Sequence, residues 1–268
     1  MSLRPAHVPR RLGVGVAAAA AVLGLSAVGA EEVRRTERRS GFEDMSRETQ
    51  AMQRDDTANP GMLWVQEGEA LWNRKDGAAA RACADCHGDA ADGMRGVAAR
   101  HPAFDPTTEK PIGLEARINR CRQTRQDAGA FAWESQELLA ITAFVAHQSR
   151  GMPIAAAEDA RLAPFRQSGR RLFEERRGQL DLSCAQCHDD NAGKRLAGTL
   201  IPQGHPTGYP LYRLEWQGLG SLGRRLRNCM AGVRSEPYAY GSAEHVELEL
   251  FLMSRAGGLP VETPAVRP

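Results

Sequence analysis

Two five-residue stretches constrain this chain more than anything else in it: Cys83-Ala84-Asp85-Cys86-His87 and Cys184-Ala185-Gln186-Cys187-His188. The C-x-x-C-H spacing sets two sulfurs at one edge of a porphyrin, where they form thioethers with its vinyl groups. It also turns the adjacent imidazole under the iron. One such match can be a redox dithiol beside a chance histidine. Two in one chain point to two covalently attached c-type haems, held by Cys83, Cys86, Cys184 and Cys187, with His87 and His188 as iron ligands.

The start of the chain carries an export leader. Arg10 and Arg11 precede an apolar run over residues 12–28, and Val28-Gly29-Ala30 offers small residues for cleavage. Residues 1–30 therefore read as a signal peptide, with an uncleaved anchor as the rival. The run is rich in Ala and Gly and short for a span, which favours cleavage. The paired arginines do not complete the motif of the folded-protein export route. No later segment is apolar for long enough to cross a bilayer, so no stable membrane insertion is expected, and the periplasm is the expected location. Removing the leader takes 35 basic residues to 32 against 33 acidic. That balance excludes the concentrated positive charge of a nucleic-acid binder.

The haem motifs use four of six cysteines and leave Cys121 and Cys229. An exported chain would ordinarily pair them as a disulfide. An internal repeat argues otherwise. Gly68-Glu69-Ala70-Leu71-Trp72 corresponds to Gly169-Arg170-Arg171-Leu172-Phe173, each glycine lying 15 positions before the first haem cysteine. His101-Pro102 and His205-Pro206 follow the motifs. Then come Leu114-x-x-Arg117-Ile118-x-x-Cys121 and Leu222-x-x-Arg225-Leu226-x-x-Cys229, identically spaced. Cys121 and Cys229 are thus equivalent positions in a duplication, and equivalence favours one role in each half: sixth ligand of its own iron. Met94, Met152, Met230, Met253, His101 and His205 are the alternatives, none matched so closely between halves. A thiolate ligand stabilises ferric iron and lowers the potential.

The fold expected is mainly α: two tandem, duplicated class I-like cytochrome c domains with extended loops. Helices are predicted over 68–75, 134–147, 169–177 and 244–254, with Gly/Pro/Thr-rich loops near 101–113 and 198–210. The boundaries are a charged extension at 31–59, forming an exposed helix or an arm against a partner, an N-terminal domain at 60–155 and a C-terminal catalytic domain at 156–268. Residues 151–168 form the linker, and 256–268 a tail docked on the body.

These residues carry a resemblance. Asn59-Pro60-Gly61-Met62-Leu63-Trp64-Val65 with Gly68-Glu69-x-Leu71-Trp72, the motif at 184–188, and Arg224-Arg225-Leu226-Arg227-Asn228-Cys229 resemble the SoxA family. Arg234-Ser235-Glu236-Pro237-Tyr238 and the ending through Thr263-Pro264-Ala265-Val266-Arg267 add to it. The family supplies the haem-bearing catalytic subunit of the thiosulfate-oxidising SoxAX complex, an L-cysteine S-thiosulfotransferase. The resemblance implies a dihaem member in which Cys229 is catalytic and carried as a persulfide, with Arg225 lining the same pocket. It also implies a monohaem cytochrome c partner, SoxX, and a SoxYZ-like carrier whose mobile cysteine receives thiosulfate. Arg225 can offer a fork of donors to a sulfonate, while Arg224, Arg227, Arg234 and Arg255 read equally as surface residues. The N-terminal site, with only Arg117, Arg120 and Arg122 near its cysteine, is either a relic of duplication or an electron outlet. A plain electron-transfer dihaem cytochrome and a dihaem peroxidase are the rival classes.

Overall fold

The duplicated glycines explain the frame of the molecule. In the computed structural model, which describes residues 1–2, 35–155 and 159–268, each half is organised around two helices that touch at a glycine. The leader assigned to residues 1–30 lies outside the described residues beyond Met1 and Ser2. In the N-terminal half, α1 (Arg47–Arg54) precedes α2 (Met62–Asn73), α3 (Ala84–His87) and α4 (Ala90–Gly93). A hairpin, β1 (Ala103–Asp105) and β2 (Lys110–Ile112), leads into α5 (Leu114–Cys121) and then α6 (Gln136–His147). A methyl on Gly68 of α2 would lie 2.2 Å from the Ala140 carbonyl oxygen of α6, so only glycine allows this approach. Every residue from Leu138 to Ala146 in α6 is buried, because α2 covers one side and a cavity wall takes the other.

The second half repeats the plan. It holds α7 (Ala163–Glu174), α8 (Cys184–His188), a short hairpin β3 (Arg195–Leu196) with β4 (Thr199–Leu200), and a longer one, β5 (Leu211–Arg213) with β6 (Gly218–Gly220). Then come α9 (Leu222–Gly232), α10 (Ala243–Arg255) and β7 (Val266–Arg267). Gly169 of α7 meets the Glu247 carbonyl of α10 as Gly68 meets Ala140. Phe173, Leu248 and Leu252 fill the seam. Helix starts are specified locally: Ser135, Ser221 and Ser242 each cap with the hydroxyl accepting an N–H three residues on.

Three expectations need correction. Residues 31–59 are not an exposed arm where described, for they wrap the C-terminal half. Arg39 N–H donates to Gln203 Oε1 (2.9 Å), Val266 N–H to Gln53 Oε1 (3.0 Å) and Asn59 Nδ2 to the Pro264 carbonyl (2.8 Å). The buried face of α1 is Thr49 and Gln53, polar residues one turn apart, so no apolar period announced it. The stretches at 101–113 and 198–210 are also not plain loops, since β1 and β2 fall within the first and β4, paired with β3 just before it, within the second. Finally, His205-Pro206 is not the counterpart of His101-Pro102. Pro102 directly precedes β1, and Pro210 directly precedes β5, so Tyr209 is the partner of His101. Seven extra residues in the second half, around β3 and β4, displace the match.

The tail does dock: β7 pairs in parallel with β5, while Gly151 and Ile154 N–H groups donate to Val261 and Leu259 carbonyls, both at 2.8 Å. Within the predicted linker, α7 already begins at Ala163, and residues 156–158 lie outside the described set. The two halves touch through Trp133 stacked on Tyr240 (5.7 Å between centroids, 12° between planes) and Trp64 against Tyr212. Among the described residues no helix is long and apolar enough to cross a membrane.

Candidate active site

Each half encloses one cavity beside its C-x-x-C-H helix. The C-terminal cavity, about 510 Å³, is walled by Cys184 and His188 from α8, Arg225 and Cys229 from α9, Tyr209 and Arg213 beside and on β5, and Arg267 from β7. Residues of the N-terminal extension, Asp44, Met45 and Thr49 among them, close one side. The N-terminal cavity, about 340 Å³, is walled by Cys83, Cys86, His87 and Cys121, with Ile141, Val145 and Phe131 as apolar lining. Cys187 lies off its cavity wall, although it occupies the second position of the motif. Cys121 and Cys229 sit in different cavities and all six cysteines are unbridged, so the disulfide alternative has no geometric basis.

The local structure fixes the orientation of His188. Ser183 and Gln186 form a reciprocal capping box that starts α8. His188 Nδ1 donates to the Pro202 carbonyl at 2.8 Å, since a carbonyl can only accept. That bond leaves the Nε2 lone pair for iron, the usual arrangement for a ligating imidazole. Gly204, at φ +74°, lies under the ring, and a Cβ there would be 3.0 Å from His188 Cγ. In the other half, Trp72 holds the motif by donating Nε1–H to the Gly88 carbonyl (3.2 Å), its ring 5.7 Å from that of His87.

The buried polar atoms of the cavities lack protein partners. His101 and His205 each donate Nδ1–H to a backbone carbonyl, and each leaves Nε2 buried and unpaired. Burial holds both rings below the usual imidazole range, His205 at about 4, so both are neutral at pH 7. Orphaned acceptors beside paired cysteines and an oriented histidine fit a c-type haem in each cavity. Of the alternative iron ligands, Met94, His101 and His205 reach a cavity wall, whereas Met152, Met230 and Met253 do not. Only Cys121 and Cys229 reach both cavities from equivalent positions.

The model of the SoxA/TsdA cytochrome c domain matches the chain twice, over residues 67–154 and 168–261. The chain belongs to this family. The SoxA/TsdA fold is mainly α, with two tandem cytochrome c domains, and a cytochrome c domain carries covalent haem. Among its relatives is the L-cysteine S-thiosulfotransferase subunit SoxA of Rhodovulum sulfidophilum, 40% identical over 85% of this chain and 80% of that protein. The protein of the same name from Pseudaminobacter salicylatoxidans is 38% identical over the same shares. The crystal structure of SoxXA from P. pantotrophus superposes with a TM-score of 0.82 at 34% identity, covering 85% of this chain and 86% of that one.

Within this SoxA/TsdA chain the two cavities differ in charge. Burial pushes the Cys184 thiol up to about 11, and raises Cys187 and Cys83 as well. Burial acts the same way on Cys229, but a hydrogen bond with His188 and the charges of Arg225 and Arg213 outweigh it and hold that thiol below its ordinary value. Cys229 thus gives up its proton more readily than Cys184 or Cys187. Burial also takes the Tyr209 hydroxyl up to about 12, keeping it neutral beside the sulfur. The other arginines have structural tasks. Arg224 stacks on Trp216 (4.2 Å), Arg227 donates to the Tyr238 carbonyl, and buried Arg255 pairs with Asp189. Arg234 is exposed.

Arg213 and Arg267 escaped the reading of the sequence. Arg213 lay outside the motif blocks used to align the repeat, in a hairpin for which no strand was expected. Nor is the N-terminal site poor in arginine: Arg74, Arg81, Arg117, Arg122 and Arg125 line its cavity. Three of them are engaged by acids, Arg74 and Arg122 by Asp76 and Arg117 by Asp105.

Proposed function

We propose that this chain couples thiosulfate oxidatively to a cysteine of a carrier protein, as the catalytic subunit of a periplasmic SoxAX-type complex. The observation that carries the reading is that Cys229, His188, Arg225 and Arg213 line one cavity beside the second C-x-x-C-H helix. The names and extents of the relatives support it, and they favour bond-making over plain electron transfer. The molecule carries two c-type haems, through Cys83 and Cys86 and through Cys184 and Cys187. His87 with Cys121, and His188 with Cys229, would hold the two irons. Each haem, when bound, supplies an iron that holds the cysteine sulfur and a one-electron acceptor.

The residues of the chain do the rest. Arg225 offers its guanidinium fork to the sulfonate oxygens of the dianion, and no acidic side chain pairs with it among the described residues. Cys229, carried as a persulfide, presents a sulfur nucleophile at the cavity. In the overall reaction a bond forms between the carrier cysteine sulfur and the outer sulfur of thiosulfate, giving an S-thiosulfonate. The thiol proton leaves to solvent and two electrons leave one at a time to ferric cytochrome c. The monohaem subunit SoxX is the electron-accepting partner, and a SoxYZ-like protein with a mobile cysteine is the carrier. The basic and apolar leader supports export.

Mass spectrometry of the intact mature protein tests this reading. The expected mass is that of residues 31–268 with two haems and one extra sulfur on the Cys229 peptide. One haem, or haem without reaction at Cys229→Ala-sensitive turnover, contradicts the scheme.

A further inference from the structure

Asp105 and Arg213 hold equivalent positions in the hairpins of the two halves. Each is the third residue of its strand, and each lies 12 positions before the arginine one turn ahead of the iron-ligand cysteine, Arg117 or Arg225. Asp105 is fully buried and holds Arg117 at 3.5 Å, with Arg120 on its other oxygen. Arg213 lines the C-terminal cavity with Arg225. Its outer nitrogen reaches Glu215 at 2.9 Å, a residue whose side chain is 66% exposed. Its Nε–H is buried with no partner at all. A buried unsatisfied donor next to a second cation is a site waiting for an anion.

We infer that this Asp-to-Arg exchange decides which of the two duplicated sites accepts thiosulfate: Arg213 is a second sulfonate-binding residue beside Arg225, and Asp105 silences the N-terminal copy by neutralising Arg117. The inference rests on the proposed thiosulfate chemistry and deepens it. A dianion needs two positive groups for charge balance, and the C-terminal cavity offers Arg225 and Arg213, the latter with a buried donor that has no partner. Across the duplication, a single change of sign converts an internal ion pair into an anion site without altering the cysteine, the histidine or the helix that carries them. The N-terminal cavity keeps its arginines, but Arg117 is held by Asp105, Arg74 and Arg122 by Asp76, and Arg81 and Arg125 are exposed to solvent.

The test is thiosulfate titrated calorimetrically into the oxidised holoprotein, with turnover measured in parallel on the complex with carrier and cytochrome c. Wild type is expected to bind one equivalent. Arg213→Gln is expected to weaken binding and raise the thiosulfate KM at least tenfold with kcat changed less than threefold, and Arg213→Lys to recover most of the loss. Asp105→Asn is expected to admit a second equivalent of thiosulfate, with the absorption of both haems preserved as the check on folding. An unchanged KM and affinity in Arg213→Gln would overturn the role of Arg213, and a single equivalent in folded Asp105→Asn would overturn that of Asp105. A wild type that neither binds thiosulfate nor turns it over would instead overturn the thiosulfate reading itself.

Discussion

Replacing Gly169 with alanine probes the feature on which the C-terminal domain depends. The added methyl would stand 2.0 Å from the Glu247 carbonyl oxygen and 2.8 Å from Phe251 Cβ. The nearest atom belongs to the α10 backbone and cannot rotate away. Restoring an ordinary 3.4 Å contact therefore moves α7 off α10 by about 1.4 Å. Such a gap forfeits a quarter to a half of the dispersion energy of each contact it opens, in a seam that buries Phe173, Leu248 and Leu252. Overpacking of this kind costs about 1–3 kcal/mol, and a backbone clash belongs at the upper end. Alanine returns about 1 kcal/mol through helix propensity. The net loss is about 2 kcal/mol, or a fall of about 4–8 °C in Tm for a chain of this size. Thermal unfolding of the mature holoprotein, followed by circular dichroism at 222 nm, measures it. Gly129→Ala is the control, since a methyl there meets nothing within 4 Å. A Tm for Gly169→Ala equal to or above that of wild type would refute the close-approach reasoning.

Three further outcomes follow from the same structure. Arg255→Met leaves buried Asp189 unpaired and should destabilise by about 3–5 kcal/mol; adding Asp189→Leu should recover most of it, and additive losses in the double-mutant cycle would show the pair to be uncoupled. Hydrogen bonds from Arg120 and Thr108 and the charge of Arg120 hold the Asp105 carboxyl well below the usual carboxylate range. Its stabilisation is therefore complete above the unfolded value of about 3.9 and is lost as pH falls toward the folded one. Acid titration of stability should consequently fall less steeply below about pH 4 in Asp105→Asn than in wild type, and parallel slopes would contradict the assignment. Gly204→Ala forces a side chain into a left-handed backbone against the His188 ring, at a cost of about 1–2 kcal/mol. It should alter the absorption of the C-terminal haem alone, and an unchanged spectrum would mean that Gly204 does not set the ring.

The covalent chemistry was legible in the sequence because it is local. A haem motif needs five consecutive residues, and a capped helix start needs four, so Ser183 through His188 specify their own geometry. The duplication was legible for a related reason: Gly68 and Gly169, or Arg117-x-x-x-Cys121 and Arg225-x-x-x-Cys229, keep fixed spacings within single helices. Site residues carried by those helices could be read directly. The polar burial of Thr49 and Gln53, the wrapping of the extension over the second cavity and the strands at 103–112 could not, since none leaves an apolar period.

Charge balance was hidden for a deeper reason. Asp105 and Arg213 lie on hairpins 12 residues before Arg117 and Arg225, and seven residues inserted upstream of β5 break the register between these hairpins and the haem motifs. By itself the sequence determined two C-x-x-C-H motifs, the repeated helices and the cysteine equivalent in each half. Only the tertiary structure decided how the charge of the two copies differs, because pairing an arginine with a carboxylate or with another arginine depends on which strand folds back beside its helix.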